Sequence, residues 1–269
     1  MALRAPDMNP IRFIDTSKVV NYASIFPTPY NISPRLKYYS SIGKVNYLKE
    51  FIINQDINIQ FGMYNPASQV MRVYKLDNDK VYQQVSVIAP VDITPTGWVS
   101  EDIYKYTYRP TTEGVYYFTI DGETWESDDI FVISSLKYKK RLIEIQYWNT
   151  TNDYGMIFHD LGVNSFKAKT YFEGDWTTRS QNDISGIEKD RGGFYKTKST
   201  PISGIQLNLY KVYYGYDMCI SKIFSCDNIY INGIQYENKA TPESDKIEQT
   251  PLYNYKVDLT EVNNNYSSK

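Results

Sequence analysis

An all-β protein is what this chain predicts, and three observations carry the prediction. Tyrosine is the compositional outlier, with 27 copies in 269 residues, and Ile and Val are frequent beside it; these side chains suit a pleated, half-buried surface. Apolar and polar residues alternate over short runs, first from Tyr47 to about Ser134 and again from Arg141 onward, with Asp, Asn and Gly between the runs. Asn232-Gly233 stands between Ile231 and Ile234, and both central residues tolerate the positive φ of a two-residue hairpin turn.

Residues 1–44 form an extended N-terminal arm. Pro6, Pro10, Pro27, Pro29 and Pro34 interrupt any regular element. Yet Ile11, Phe13, Ile14, Tyr22, Phe26, Tyr30 and Tyr38 make the arm too apolar for a free linker. A hydrophobic segment without periodicity lies across a surface, either its own domain or a neighbouring subunit, and the neighbour is the expectation here.

Residues 45–135 carry the short strands of a sandwich. Ile57, Ile59, Phe61 and Met63 face one way, Met71 and Val73 continue the series, and Val81, Gln83, Val85 and Val87 alternate with Tyr82, Gln84, Ser86 and Ile88. Strands at 104–108, 114–122 and 128–134 follow. Many short strands with frequent turns are the signature of an immunoglobulin-like β-sandwich, and Tyr116 or Tyr117 is placed to make its corner hydrogen bond. The cysteine pair and core tryptophan of antibody domains are missing, so the sandwich is a generic one.

Residues 136–262 form a second, antiparallel β domain with one short helix. The strand pattern of residues 143–158 opens it, residues 164–174 and 205–214 give further strands, and a polar, glycine-punctuated loop spans Gly174 to Thr200. Cys219, Ile220, Ile223 and Phe224 recur at helical spacing, which predicts a helix near 215–226. The Asn232-Gly233 hairpin and a last strand from Leu252 to Leu259 complete the domain. Residues 263–269 form a frayed tail.

Charge and motifs narrow the function classes. The formal net charge is -2, from 29 basic and 31 acidic residues, so no overall basic field gathers phosphates and nucleic-acid binding is not the expected main role. The local cluster Lys137, Lys139, Lys140 and Arg141 reads as a solvated linker. The opening residues lack the apolar core of a signal peptide, and no window reaches the ~20 apolar residues of a membrane span; synthesis in a cytoplasm and no membrane partner are expected. Cys219 and Cys226 read as buried small hydrophobes rather than a disulfide.

His159 is the single histidine, so a zinc site has too few ligands, and the neighbouring Asp160 does not make a catalytic dyad without a nucleophile. Glu173, Asp175, Asp183, Glu188 and Asp190 offer a glycosidase pair only by number. No phosphate loop, nucleophile elbow or calcium loop is present, and no cofactor is expected. Exposed aromatics are the alternative: Tyr154, Trp176, Phe194, Tyr195, Tyr213, Tyr214 and Tyr216 would give stacking platforms for a sugar, or else fill cores and subunit contacts.

The second half of the chain resembles a module of virion proteins from phages that infect Bacteroidetes, the crAss-like phages above all. The resemblance lies in RLIEIQYWNTTNDYGMIF at 141–158, FKAKTYFEGDW at 166–176, DRGGFYKTKS at 190–199, SCDNIYINGIQYENK at 225–239 and YNYKVDLTEVNNNYS at 253–267. It implies a structural, non-enzymatic subunit of the tail or neck. Such a subunit forms a homo-oligomeric ring around the DNA exit channel, meets other tail and neck proteins, and touches passing DNA at most passively. An apolar arm suits strand addition or groove packing on a neighbour, and ring closure needs unlike faces to meet. Phe13, Ile14, Tyr22, Phe26, Tyr30 and Tyr38 of the arm, with Trp176, Arg191, Phe194 and Tyr195 of the loop, are the expected inter-subunit contacts. A carbohydrate-binding tail or fibre module and, behind it, a polysaccharide-degrading tail enzyme are the alternatives.

Overall fold

The computed structural model describes residues 3–4, 8–15, 49–63, 69–79, 81–97, 102–120, 125–134, 142–152, 156, 158, 166–183, 187–190, 193–196, 200–213, 216–238, 240–248 and 252–262. The chain is mostly strand, as composition and alternation predict. In chain order the first strands are β1 (Leu3–Arg4), β2 (Phe13–Asp15), β3 (Lys49–Ile52), β4 (Ile57–Met63), β5 (Met71–Leu76), β6 (Tyr82–Ile88), β7 (Val91–Asp92), β8 (Asp102–Tyr108), β9 (Gly114–Ile120), β10 (Trp125–Ser127) and β11 (Ile130–Ile133).

These make two sheets. One is antiparallel in the order β1-β4-β8-β7. The other centres on β9, which pairs with β5 along one edge and with β10 and β11 along the other. β6 extends the β5 side, β2 joins β10, and β3 lies parallel to β11. Ile57, Ile59, Phe61 and Met63 are all buried, together with Val73, Tyr106, Tyr116, Phe118 and Val132. The alternation thus picked the core face correctly. Tyr116 is the corner tyrosine: its hydroxyl donates to the Thr112 carbonyl at 2.9 Å.

The remaining elements are β12 (Leu142–Trp148), β13 (Ala168–Asp183), β14 (Ile187–Asp190), β15 (Gly193–Lys196), β16 (Thr200–Tyr213), α1 (Asp217–Ile223), β17 (Asn228–Ile231), β18 (Ile234–Asn238), β19 (Glu243–Lys246) and β20 (Leu252–Glu261). Their order is β16-β13-β12-β17-β18-β20, and β16 pairs with β20 as well, so the sheet closes into an antiparallel barrel in which β18 and β19 pair with successive stretches of the other edge of β20. Closure leaves few free edges in this half. Ile143, Ile145, Tyr147, Leu207, Ile231 and Val257 belong to its core, and Cys219, Ile220 and Ile223 of α1 join them. Among the described residues no helix is long and apolar enough to cross a membrane.

Two sequence expectations need correction. The strand predicted over 143–158 ends at Trp148; Met156 and Phe158 return to the barrel core outside any strand. The stretch predicted as a loop from Gly174 to Thr200 is largely strand. β13 runs to Asp183 against β16, and β14 and β15 form a separate hairpin. Residues 175–178 are exposed, so they lack the apolar alternation by which a half-buried strand is recognised. Two glycines permit the close approach of barrel strands. A Cβ at Gly174 would lie 2.2 Å from the Asn208 carbonyl oxygen, and one at Gly204 would lie 2.5 Å from that of Leu259.

Candidate functional site

Two parts of the surface and the seam between the halves are the candidates, and the seam organises the rest. Residues 8–13 thread it. Met8 is buried in the barrel core, Ile11 and Phe13 in the sandwich core. Asn9 continues the ladder of β4 with its side chain: Nδ2 donates to the Gln60 carbonyl at 2.8 Å and Oδ1 accepts the Gln60 N–H at 2.9 Å. Tyr147 of the barrel donates its hydroxyl to the Met8 carbonyl. Arg12 grips Asp128 with two hydrogen bonds of 2.8 Å, and its own N–H reaches the Tyr216 hydroxyl at 3.4 Å. Tyr171 of β13 belongs to the sandwich core and meets Phe51 edge-on at 5.9 Å. The two halves are thus packed through shared aromatic residues and one stitched segment.

Lys49 lies inside this seam. Its Nζ stands 3.9 Å from the centre of the Phe172 ring and 4.2 Å from that of Tyr216, within cation–π range of both. Among the described residues its Nζ has no hydrogen-bond partner. Burial pushes its pKa down to about 7, opposed by Cys219 and Asp128.

The first surface candidate is a strand edge. Among the described residues β6 pairs with β5 alone, and β7 is the end strand of the other sheet. Val85 and Val87 on β6, Val81 just before it and Val91 on β7 are about half exposed, at 48, 52, 52 and 55%. Val73 faces Ser86 and Tyr74 faces Gln84, which leaves Val85 as an extra residue at a bulge. The bulge breaks the regular alternation that the sequence predicts for 81–88. Residues 82–88 carry no charged side chain.

The second is a polar cleft of about 310 Å³ between the halves. The turn Asn54–Asp56, Asn58 of β4, and Lys105 and Arg109 from β8 and its end line one wall. Gln146 of β12 with Phe166, Lys167 and Lys169 at the start of β13 line the other. Arg109 holds Asp56 with bonds of 2.7 and 2.8 Å. That pairing keeps the Asp56 carboxyl below its ordinary range, and Lys105 and Lys169 pull in the same direction. Lys169 meets Glu144 at 3.0 Å, and Lys167 lies over the Trp148 ring at 4.4 Å.

The residues singled out in sequence are scattered. Phe13 packs in the chain's own core, 4.8 Å from the Phe61 ring centre. Ile14 pairs through its backbone with Glu126. Tyr22, Phe26, Tyr30, Tyr38, Arg191, Tyr154, Tyr214, His159, Asp160 and residues 137–141 lie outside the described residues. Phe194 and Tyr195 are placed by backbone only, in β15. Trp176 is exposed on β13, beside Asp175, which accepts from Asn208 and Tyr210 at 2.8 Å each. Tyr216 is buried. Both cysteines are buried and not joined in a disulfide, as the sequence suggests. Among the described residues no group of three His, Cys, Asp or Glu side chains gathers as for a metal.

Sequence reasoning missed Arg12, Lys49 and the cleft. The cleft is assembled from separate segments of both halves, and no local motif marks such a site. No protein-family model and no curated protein matches this chain.

Proposed function

We propose that this chain is a structural subunit of a bacteriophage virion, a tail or neck ring protein that assembles into a symmetric collar around the DNA exit channel. The observation that carries the reading is the uncharged edge strand β6, with Val85 and Val87 half exposed on it. Sheet proteins that remain single blunt such edges with lysine, proline, a bulge or a covering segment; β6 carries half-exposed valines and no charge, and its bulge at Val85 narrows which strand it accepts. A second copy, or another tail protein, covers it by adding a strand or packing on the valines. In a ring this edge meets a different face of the next copy, because closure about a rotation axis joins unlike faces. The likeness of residues 141–267 to virion modules supports the same reading.

The fate of the tyrosines bears on the carbohydrate alternative. Tyr104, Tyr106, Tyr116, Tyr117, Tyr147, Tyr171, Tyr216, Tyr236 and Tyr255 are buried inside the chain, so they form no exposed line for a glycan. Among the aromatic side chains that the structure describes, Trp176 is an exposed platform. The test is mass in solution by light scattering across a concentration series, with negative-stain imaging at the highest concentration. Closed rings or symmetric oligomers are expected. A monomer at every concentration that binds host-surface glycan would overturn the ring reading in favour of a receptor-binding module.

A further inference from the structure

We infer that the cleft between sandwich and barrel binds a phosphate monoester, held between Lys105 on one wall and Lys167 and Lys169 on the other. The two walls bring cations of both halves onto one small space. With Arg109 they outnumber the single lining carboxylate, Asp56, which Arg109 already occupies. Glu144 answers Lys169 from beside the cleft. Among the described residues, what is left unanswered is close to two positive charges, from Lys105 and Lys167. A carboxylate supplies one negative charge, a phosphate monoester about 1.5 to 2 at neutral pH together with three acceptor oxygens. Charge matching therefore selects the monoester.

Residue type agrees. Lysine is a compact point charge with rotatable donors, suited to phosphate, whereas planar bidentate recognition is the work of arginine, and here the arginine is spent on Asp56. The space, about 310 Å³, is at the small end of ligand sites and exceeds a bare phosphate. The amides of Asn54, Asn58 and Gln146 supply donors and acceptors for a hydroxylated carrier. Such a ligand would also relieve the repulsion between the lysines and so tie the two halves more tightly. Its carrier is a free sugar or nucleotide, or the 5′ end of a nucleic acid strand; the phosphate chemistry is shared.

The experiment uses the full chain, glucose 6-phosphate and calorimetric titration at pH 7.5. Saturable binding is expected, weakened about tenfold by Lys105→Gln and by Lys167→Gln, since each removes one charge-assisted contact. Lys211→Gln, an exposed barrel lysine paired with Glu173 away from the cleft, makes the same change in net charge and leaves affinity unaltered. Binding weakens as pH falls below about 6, where the monoester loses its second charge; glucose 6-sulfate, with one charge, binds weakly throughout. A 5′-phosphorylated thymidine decamer compared with its unphosphorylated form identifies the carrier: a preference for the phosphorylated end points to a strand terminus, its absence with glucose 6-phosphate bound points to a small molecule. No saturation by any of these probes, equal loss in Lys211→Gln, or equal binding of sulfate and phosphate esters would overturn the site.

Discussion

The ammonium of Lys49 lies 3.9 Å from the centre of the Phe172 ring, so a sandwich strand presses a buried cation onto a barrel strand. The second ring, that of Tyr216 at the N-cap of α1, lies 4.2 Å away. Two aromatic faces offset part of the desolvation cost, but among the described residues no hydrogen bond joins them. The result is a lysine whose folded pKa is about 7 against an ordinary 10.5.

The sign of its pH effect follows. The unfolded chain keeps the proton up to about 10.5, whereas the folded one loses it near 7. Between those values the unfolded state binds more protons, so stability rises with pH, by at most about 1.4 kcal/mol per pH unit. Below 7 both states are charged and the cost of burial is fully present. Lys49→Met, with similar volume and no charge, is expected to raise stability at pH 7 by about 1–3 kcal/mol and to flatten the rise between pH 7 and 9. Urea unfolding of both proteins at several pH values measures this; a variant less stable than the parent at pH 7 would sink the account.

Arg12 tests whether the stitched segment couples the halves. Its pair with Asp128 is largely shielded from solvent, and removing one partner leaves the other charge poorly compensated. Arg12→Ala is expected to cost about 3 kcal/mol. The more telling outcome is the shape of the transition: one cooperative unfolding step in the parent, two in the variant, as sandwich and barrel separate. Fluorescence and circular dichroism melts that still coincide in Arg12→Ala would show that packing of Tyr171 and Phe51 suffices without the stitch.

How much of this was legible in the sequence depends on whether a feature is local. The Asn232-Gly233 turn was, because its backbone demand is met by two adjacent residues; φ is 50° and 87° there. The β4 core face and the Tyr116 corner were too. Barrel closure was not, since β16 meets β20 across residues 214–251 and no local period records that pairing. β3 was missed because four residues, Lys49–Ile52, are too few to show alternation, and its parallel partner β11 is distant in sequence. The arm residues 8–13 were recognised as apolar and surface-covering, but the surface they cover is the chain's own. The cleft and the Lys49 seam are long-range assemblies of ordinary polar residues.

Gly174 probes the barrel. An added methyl would meet the Asn208 carbonyl oxygen at 2.2 Å and the Ile143 Cδ1 at 2.9 Å. The carbonyl belongs to the paired strand β16 and has no room to yield without breaking the ladder. Gly174→Ala is expected to destabilise by about 2–3 kcal/mol, although alanine in an open strand position is nearly neutral. A denaturation midpoint unchanged from the parent would mean that β13 and β16 are farther apart than this register requires.

The valine edge separates assembly from folding. Val85 and Val87 are half exposed on β6, which among the described residues has a partner on one side only. Surface substitutions away from packed features change stability by roughly 0.5 kcal/mol or less, so Val85→Lys with Val87→Lys should leave the unfolding midpoint almost where it was. The same lysines would place two charges on an edge that must lose its water to accept a neighbour, and each uncompensated charge there opposes association. Oligomers seen by light scattering for the parent should therefore dissolve to monomer in the double variant at equal concentration. Oligomers of unchanged mass would place the subunit contact elsewhere and remove the edge as the support for a ring.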